Sequence, residues 1–179
     1  MKITPKMYRA ISVVALPLAS LYLMWRSRRQ PEYRQFWDER FAWSSFPLKT
    51  NRPRVWIHAV SVGETNATKP LLSAILNEWP ECDVLLTHMT PTGREAGKAL
   101  VAMAPDRVVQ CYLPYDAPYA VRKFFRQTRP TMGIIMETEV WPNLMSEANH
   151  CGIPMVLANA RESEKSREKA ARIIELMRP

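Results

Sequence analysis

Two acids in this 179-residue chain stand where an acid can move a proton. Glu64 follows the apolar stretch 55–60 and the turn Ser61-Val62-Gly63, and an apolar-periodic helix starts directly behind it. An apolar run, a tight turn and a helix start place a side chain outside the carboxyl end of a strand, where open α/β sheets hold their ligands. The amides of residues 63–65 at that helix start carry partial positive charge, which favours an ionised carboxylate or a bound anion. Glu64 is therefore a candidate general base, able to take a proton from a hydroxyl. An acid that merely complements the helix dipole fits the same spacing. Glu137 and Glu139 lie two residues apart at a later strand end and face the same way if that strand continues. One would then work on a substrate while the other anchors structure.

Around these acids stand groups suited to anions. Thr90-Pro91-Thr92-Gly93-Arg94 supplies two hydroxyls, a helix N-terminus and a guanidinium, which could seat a phosphate; plain helix capping by Thr90 or Thr92 explains the same residues. Arg161 can pair with a phosphate or with an acid of the protein. His58, His88 and His150 show no metal-ligand spacing with any acid or thiol, and Cys82, Cys111 and Cys151 form no CxxC pair. Neither a metal site nor a disulfide framework is expected, and a reducing compartment fits.

The elements that must position these residues follow from periodicity. Apolar runs of strand length at 55–60, 83–89, 107–112, 131–137 and 153–159 are each followed by a turn and an amphipathic stretch, with helices expected at 65–78, 92–103, 118–127, 142–151 and 162–177. This alternation predicts an α/β fold with a doubly wound parallel sheet. Runs such as Gly133-Ile134-Ile135-Met136 are apolar throughout, as strands covered on both faces must be. Parallel strands bring every post-strand turn to one edge, which is where the site is expected.

Charge divides the chain differently. The first 54 residues hold 11 Lys and Arg against 3 acids, whereas the rest is balanced, so the whole net charge of +8 lies ahead of the first strand. Within that basic segment the uncharged stretch 10–25 would form a helix of about 24 Å at 1.5 Å per residue, short of a hydrocarbon core of about 30 Å. Tyr22 and Trp25 at its end suit a headgroup boundary, and Arg26, Arg28 and Arg29 beyond suit anionic lipid. The expected organisation is a membrane-anchor helix with basic flanks (1–30), a basic aromatic connector (31–54) read as a helix that packs its rings on the domain or rests its Trp and Arg side chains at the bilayer surface, and a Rossmann-like domain (55–179). Bulky Leu23-Met24-Trp25 offers no signal-peptidase site, so the anchor is expected to stay attached, although Pro17 argues against a straight span. A neutral globular part lacks the basic face that nucleic-acid binding requires.

Five strings, HAVSVGET (58–65), TPTG (90–93), YLPYD (112–116), METEVWPN (136–143) and IPMVLANAR (153–161), occur in the order and spacing of one family. In them, and in its basic anchor and connector, the chain resembles the N-terminal domain of the 3-deoxy-D-manno-octulosonic acid (Kdo) transferases of lipid A assembly. The resemblance implies the N-terminal half of a GT-B glycosyltransferase. Such an enzyme moves Kdo from CMP-Kdo to a sugar hydroxyl of a lipid A precursor with inversion, at the cytoplasmic face of the inner membrane, without cofactor or metal. The family's general base falls on Glu64 and its transition-state-stabilising glutamate on Glu137. Ser61, Gly63, Thr90, Thr92, Gly93, Arg94, Asn159 and Arg161 become acceptor-side candidates. The family's donor-binding domain and its further catalytic lysine have no counterpart in this sequence, so the chain is expected to be an acceptor half. A membrane-attached binding or scaffold module without catalysis is the competing expectation.

Overall fold

The computed structural model describes residues 4–48, 50–137 and 141–160. Three short helices come first: α1 (Pro5–Val14), α2 (Leu16–Arg26) and α3 (Trp37–Arg40). The expected single helix over the apolar stretch is thus two helices, bent by 44° at Ala15. Pro17 explains the break, since it has no N–H to give and its ring crowds the carbonyl four residues back, while the first turn of a new helix accepts it. No single helix among the described residues is long and apolar enough to cross a membrane.

The connector is not one helix either. It runs as a 3-10 turn (Pro31–Arg34), the single turn α3 and extended chain, with Phe36 and Ala42 in the left-handed region at φ 55° and 57°. Its rings do pack as expected at Tyr33, Phe41 and Phe46, which are buried, whereas Trp43 remains exposed. Two of its basic residues are interior. Arg54 donates to the carbonyls of Pro47 at 2.8 Å, Leu48 at 2.7 Å and Thr128 at 3.3 Å, and burial lowers its pKa. Arg40 donates to the Met89 carbonyl and stacks over the Tyr112 ring at 3.7 Å. Both tie the connector to the sheet rather than adding to a basic surface.

Five strands, β1 (Arg54–His58), β2 (Asp83–His88), β3 (Val108–Tyr112), β4 (Met132–Met136) and β5 (Met155–Ala158), form an all-parallel sheet in the order β3-β2-β1-β4-β5. Each agrees with its apolar run to within two residues at either end. The helices α4 (Val62–Glu78), α5 (Pro91–Val101), α6 (Pro118–Thr128) and α7 (Pro142–His150) make the crossovers. The expected helix 162–177 lies outside the described residues.

Alternation along the strands divides two cores. Val55 and Ile57 of β1 join Val84, Leu86, Ile134 and Met136 with Leu72 and Ile75 of α4 and Leu100 of α5. Trp56 points the other way and packs with Leu85, Ile135, Phe124 and Phe125 of α6 and Leu144 of α7. Edge-on ring contacts of Trp56 with Phe124 at 5.4 Å and with Phe125 at 5.6 Å fill that second layer. The sheet is covered on both faces, and its strand order reverses between β1 and β4.

Candidate active site

In a sheet wound outward in both directions, the two central loops part and leave a crevice at the carboxyl ends of the strands where the order reverses. Here those strands are β1, which leads into Glu64, and β4, which leads into Glu137.

The β1 side is built by local chemistry. Ser61 takes extended geometry as N-cap of α4, and its hydroxyl accepts from the Glu64 N–H at 3.4 Å. The Glu64 carboxylate reaches back, accepting from the Val60 N–H at 2.8 Å and from the Ser61 hydroxyl at 2.9 Å. Ser and Glu at this spacing form a reciprocal cap that satisfies donors at the helix start. The helix therefore begins at Val62, and Gly63 lies in its first turn instead of ending a Ser-Val-Gly turn as expected. Glu64 is 7% exposed. The dipole-complementing role and a position at the crevice coincide in this one side chain.

The β2–α5 loop is stitched to it. The Val60 carbonyl accepts from the Thr90 N–H at 3.2 Å, the Thr90 hydroxyl at 3.0 Å and the Met89 N–H at 3.3 Å. Thr90 caps α5 by accepting from the Gly93 N–H at 3.1 Å, and Thr92 turns its hydroxyl toward Thr90 at 3.4 Å. Gly93 is needed for this approach, since a Cβ there would lie 2.9 Å from both the Thr90 Oγ1 and the Val60 carbonyl. Ser61, Gly63, Glu64, Thr90, Thr92 and Gly93 thus occupy one continuous shelf.

Arg94 does not stand free on that shelf. Both terminal nitrogens of its guanidinium pair with the Glu39 carboxylate, one of them at 3.1 Å, and the group stacks on Phe36 at 3.8 Å. Glu39 also accepts from the Tyr112 N–H at 2.7 Å. With Thr92, Arg94 lines a recess of about 430 Å³ between the connector and α5. Sequence spacing could not reveal this, because Glu39 and Arg94 are 55 positions apart.

Across the crevice, β4 ends at Met136 and Glu137 turns into the left-handed region at φ 62°, its N–H donating to the Ala158 carbonyl at 2.9 Å. The strand does not continue, so the expected shared face of Glu137 and Glu139 does not arise from it, and Glu139 lies outside the described residues. Asn159 follows β5 in the same left-handed conformation at φ 53° beside Glu137. Asn accepts that conformation readily, whereas for Glu it costs of the order of 1 kcal/mol. Arg161 lies outside the described residues.

Beneath the shelf two histidines are held neutral. The Thr87 hydroxyl accepts from Trp56 Nε1 at 2.8 Å and turns its own hydrogen to His58 Nδ1 at 2.8 Å; this tautomer is assigned from the network. Burial, then the neighbouring His88, pushes the His58 pKa down to about 3. His88 Nδ1 lies 3.0 Å from the Ala59 carbonyl, and burial brings its pKa down to about 4. Both serve the loop's footing, and among the described residues no three or more His, Cys, Asp and Glu side chains are grouped to hold a metal ion. Cys82 and Cys111 are buried and Cys151 is exposed, all as free thiols.

The motif 112–116 also has a structural task that the sequence reading missed. Asp116 accepts from the Asn143 N–H at 3.0 Å and the Leu144 N–H at 2.8 Å, capping α7 from another loop, and from the Tyr8 hydroxyl of α1 at 2.9 Å. Burial raises its pKa against the pull of these donors. The bare start Trp141-Pro142-Asn143, with no side-chain cap of its own, was the available signal.

A doubly wound domain with a carboxylate on each of the two strand ends at its reversal point belongs to the class that binds its ligand across that crevice. Residues 35–179 match the family model described as 3-deoxy-D-manno-octulosonic-acid transferase (kdotransferase), and the chain belongs to that family. It is 42% identical over 173 residues to the 3-deoxy-D-manno-octulosonic acid transferase of Bordetella pertussis, covering 92% of this chain and 40% of that protein. The protein of the same name from Haemophilus influenzae is 34% identical, with 93% and 38% covered. A probable mitochondrial 3-deoxy-D-manno-octulosonic acid transferase of Arabidopsis thaliana is 35% identical, with 90% and 35% covered. The chain thus spans about two fifths of the length of these curated relatives.

Proposed function

We propose that this chain is the acceptor-side half of a Kdo transferase, acting at the cytoplasmic face of the inner membrane on a lipid A precursor. The observation that carries this reading is the pair Glu64 and Glu137, on the two strand ends flanking the crevice of a domain that belongs to this family. CMP-Kdo would be held by a second domain, and no metal or cofactor enters the scheme.

In this reaction the acceptor hydroxyl gives its proton to the Glu64 carboxylate while its oxygen attacks the anomeric carbon of Kdo from the face opposite the departing CMP. One C–O bond forms, the bond to the phosphate breaks, and the configuration inverts. Positive charge gathers on the sugar during transfer, and the Glu137 carboxylate would stabilise it. To act, Glu64 exchanges its hold on the Ser61 hydroxyl for the substrate hydroxyl and keeps the Val60 N–H as its anchor. The Ser61, Thr90 and Thr92 hydroxyls, the shelf amides and Asn159 would hold acceptor oxygens.

The test is Glu64→Gln in the full-length protein, with CMP release and Kdo-lipid formation followed together. Glutamine keeps the shape of the cap and removes the base, so turnover should fall about 100- to 10,000-fold. Retention of full activity would overturn the assignment.

A further inference from the structure

The N–H that anchors Glu64 belongs to a peptide whose other end is also held. Val60 donates to Glu64 Oε2 at 2.8 Å, and the carbonyl of the same planar amide, that of Ala59, faces His88 Nδ1 at 3.0 Å. A carbonyl can only accept, so the neutral imidazole carries its one proton on Nδ1. A second contact agrees. The Thr65 hydroxyl gives its hydrogen to the Ser61 carbonyl at 2.8 Å and therefore meets His88 Nδ1, 3.4 Å away, as an acceptor. The ring, fully buried, thus touches the chain on both sides of the acid, at Ala59 ahead of the cap and at Thr65 directly behind Glu64.

With Nδ1 protonated, Nε2 is an acceptor, and it is buried without a bonded partner as the side chains stand. Gln110 can supply the donor. On the parallel pair of β2 and β3 it stands opposite Leu86, two residues before His88 and on the same face. A Cβ on Gly97 of α5 would lie 2.6 Å from His88 Nε2 and 2.3 Å from Gln110 Oε1, which is likewise buried and unpartnered. Two buried acceptors side by side have no hydrogen to share, so the Gln110 amide presents its NH2 to the ring, an orientation assigned from the network. Gln110 then holds His88 in the tautomer that the Ala59 carbonyl requires.

We propose that His88 is a positioning residue for Glu64: its Nδ1–H, donated to the Ala59 carbonyl, fixes and polarises the peptide whose N–H holds the carboxylate. The proposal rests on the reading of Glu64 as the base and adds what keeps that base in place. Hydrogen bonds in series strengthen one another, by about 10 to 30% per bond, so a donor at the Ala59 oxygen makes the Val60 N–H a better donor. Direction matters more. The peptide plane cannot tilt while His88 holds its oxygen, and Met89 and Thr90, the next two residues, hold the following carbonyl of Val60. Oε2 of Glu64 therefore stays at its anchor, while Oε1, which the Ser61 hydroxyl meets at 2.9 Å, is the oxygen that changes partner in the proposed reaction. The ring does this as a dipole, since burial keeps it neutral.

The test compares two amides in the full-length protein. The N–H of His88→Asn can stand where Nδ1–H stood, whereas that of His88→Gln falls at the place of Nε2 and misses the Ala59 carbonyl. His88→Gln should lower kcat about 10- to 100-fold, as a displacement of about 1 Å at a reacting group does, with KM for both substrates kept within about twofold. His88→Asn should bring kcat back to within about threefold of the parent. In a Glu64→Gln background, His88→Gln should cost less than about twofold, because the carboxylate through which it acts is gone. Equal losses in the two backgrounds, or equal losses for Asn and Gln, mark a packing role and overturn the proposal. Unchanged kcat in His88→Gln beside a large loss in Glu64→Gln sinks this inference alone, whereas full activity of Glu64→Gln sinks the base and the inference together. Should His88→Gln not fold, the unsubstituted protein and His88→Asn decide. Long-range nitrogen–proton NMR of the imidazoles must then find the His88 proton on Nδ1, with turnover kept in His88→Asn; a proton on Nε2, or loss of turnover in that variant, overturns the proposal.

Discussion

Ser61 and Glu64 cap each other: the serine oxygen accepts from the glutamate N–H, and the glutamate carboxylate accepts from the serine hydroxyl. The proposed base is therefore also a structural residue, and the two roles separate by substitution. Glu64→Gln should leave stability within about 0.5 kcal/mol, because either residue closes such a cap, whereas Glu64→Ala should lose about 1 kcal/mol. Urea unfolding of both variants beside the turnover assay tells the roles apart.

Glycines 63 and 93, equally simple in sequence, should respond oppositely to alanine. At Gly93 the new Cβ meets backbone and Thr90 at 2.9 Å, and the packed shelf should lose about 1 to 3 kcal/mol. At Gly63 the nearest atom is Ser61 Oγ at 3.9 Å, and alanine in a helix should gain about 0.5 to 1 kcal/mol. Thermal melts of the two variants should move in opposite directions.

The left-handed backbone at Glu137 predicts that Glu137→Gly is more stable than Glu137→Ala by about 1 kcal/mol, since both lack the carboxylate and only glycine is unstrained. Equal midpoints for the two variants would show that the conformation carries no cost.

Acid should loosen the fold through its histidines. His58 and His88 titrate at about 3 and about 4 in the folded protein, against 6.5 in the unfolded chain. The unfolded chain therefore binds more protons below pH 6.5, so the stability these groups contribute is complete above that pH and is lost as pH falls toward their folded values. At pH 5 each should have cost about 2 kcal/mol, and urea midpoints between pH 7 and 5 should fall accordingly. His88→Gln should flatten that fall by roughly half.

Arg94 and Glu39 should couple by about 1 to 2 kcal/mol in a double-mutant cycle of Arg94→Met and Glu39→Gln, as expected for a partly buried two-nitrogen pair. A coupling near zero would return Arg94 to the list of residues available for a bound phosphate.

The strands and the main helices were legible because burial on both faces of a parallel sheet leaves apolar runs, and each run was matched by a strand. The place of Glu64 behind a strand, at a helix start, was legible for the same reason, since it is the first acid after such a run. What escaped the sequence was partnership at a distance. Arg94 read as a possible anion ligand, whereas it is paired with Glu39, and Asp116 caps a helix 27 positions away, a task that its place in the string 112–116 does not show. The break between α1 and α2 was written in Pro17, yet the docking of α1 on α7 depends on Tyr8, Arg9 and Ser12, which no periodicity distinguishes from solvated polar residues.

A single carbonyl, that of Val60, gathers three donors from the neighbouring loop. Displacing the turn that bears Glu64 would carry the start of α5 with it, against the close packing at Gly93. This wall of the crevice is accordingly set in place in advance, and in the proposed reaction the acceptor hydroxyl would have to come to the carboxylate in the right attitude because the carboxylate does not travel to meet it.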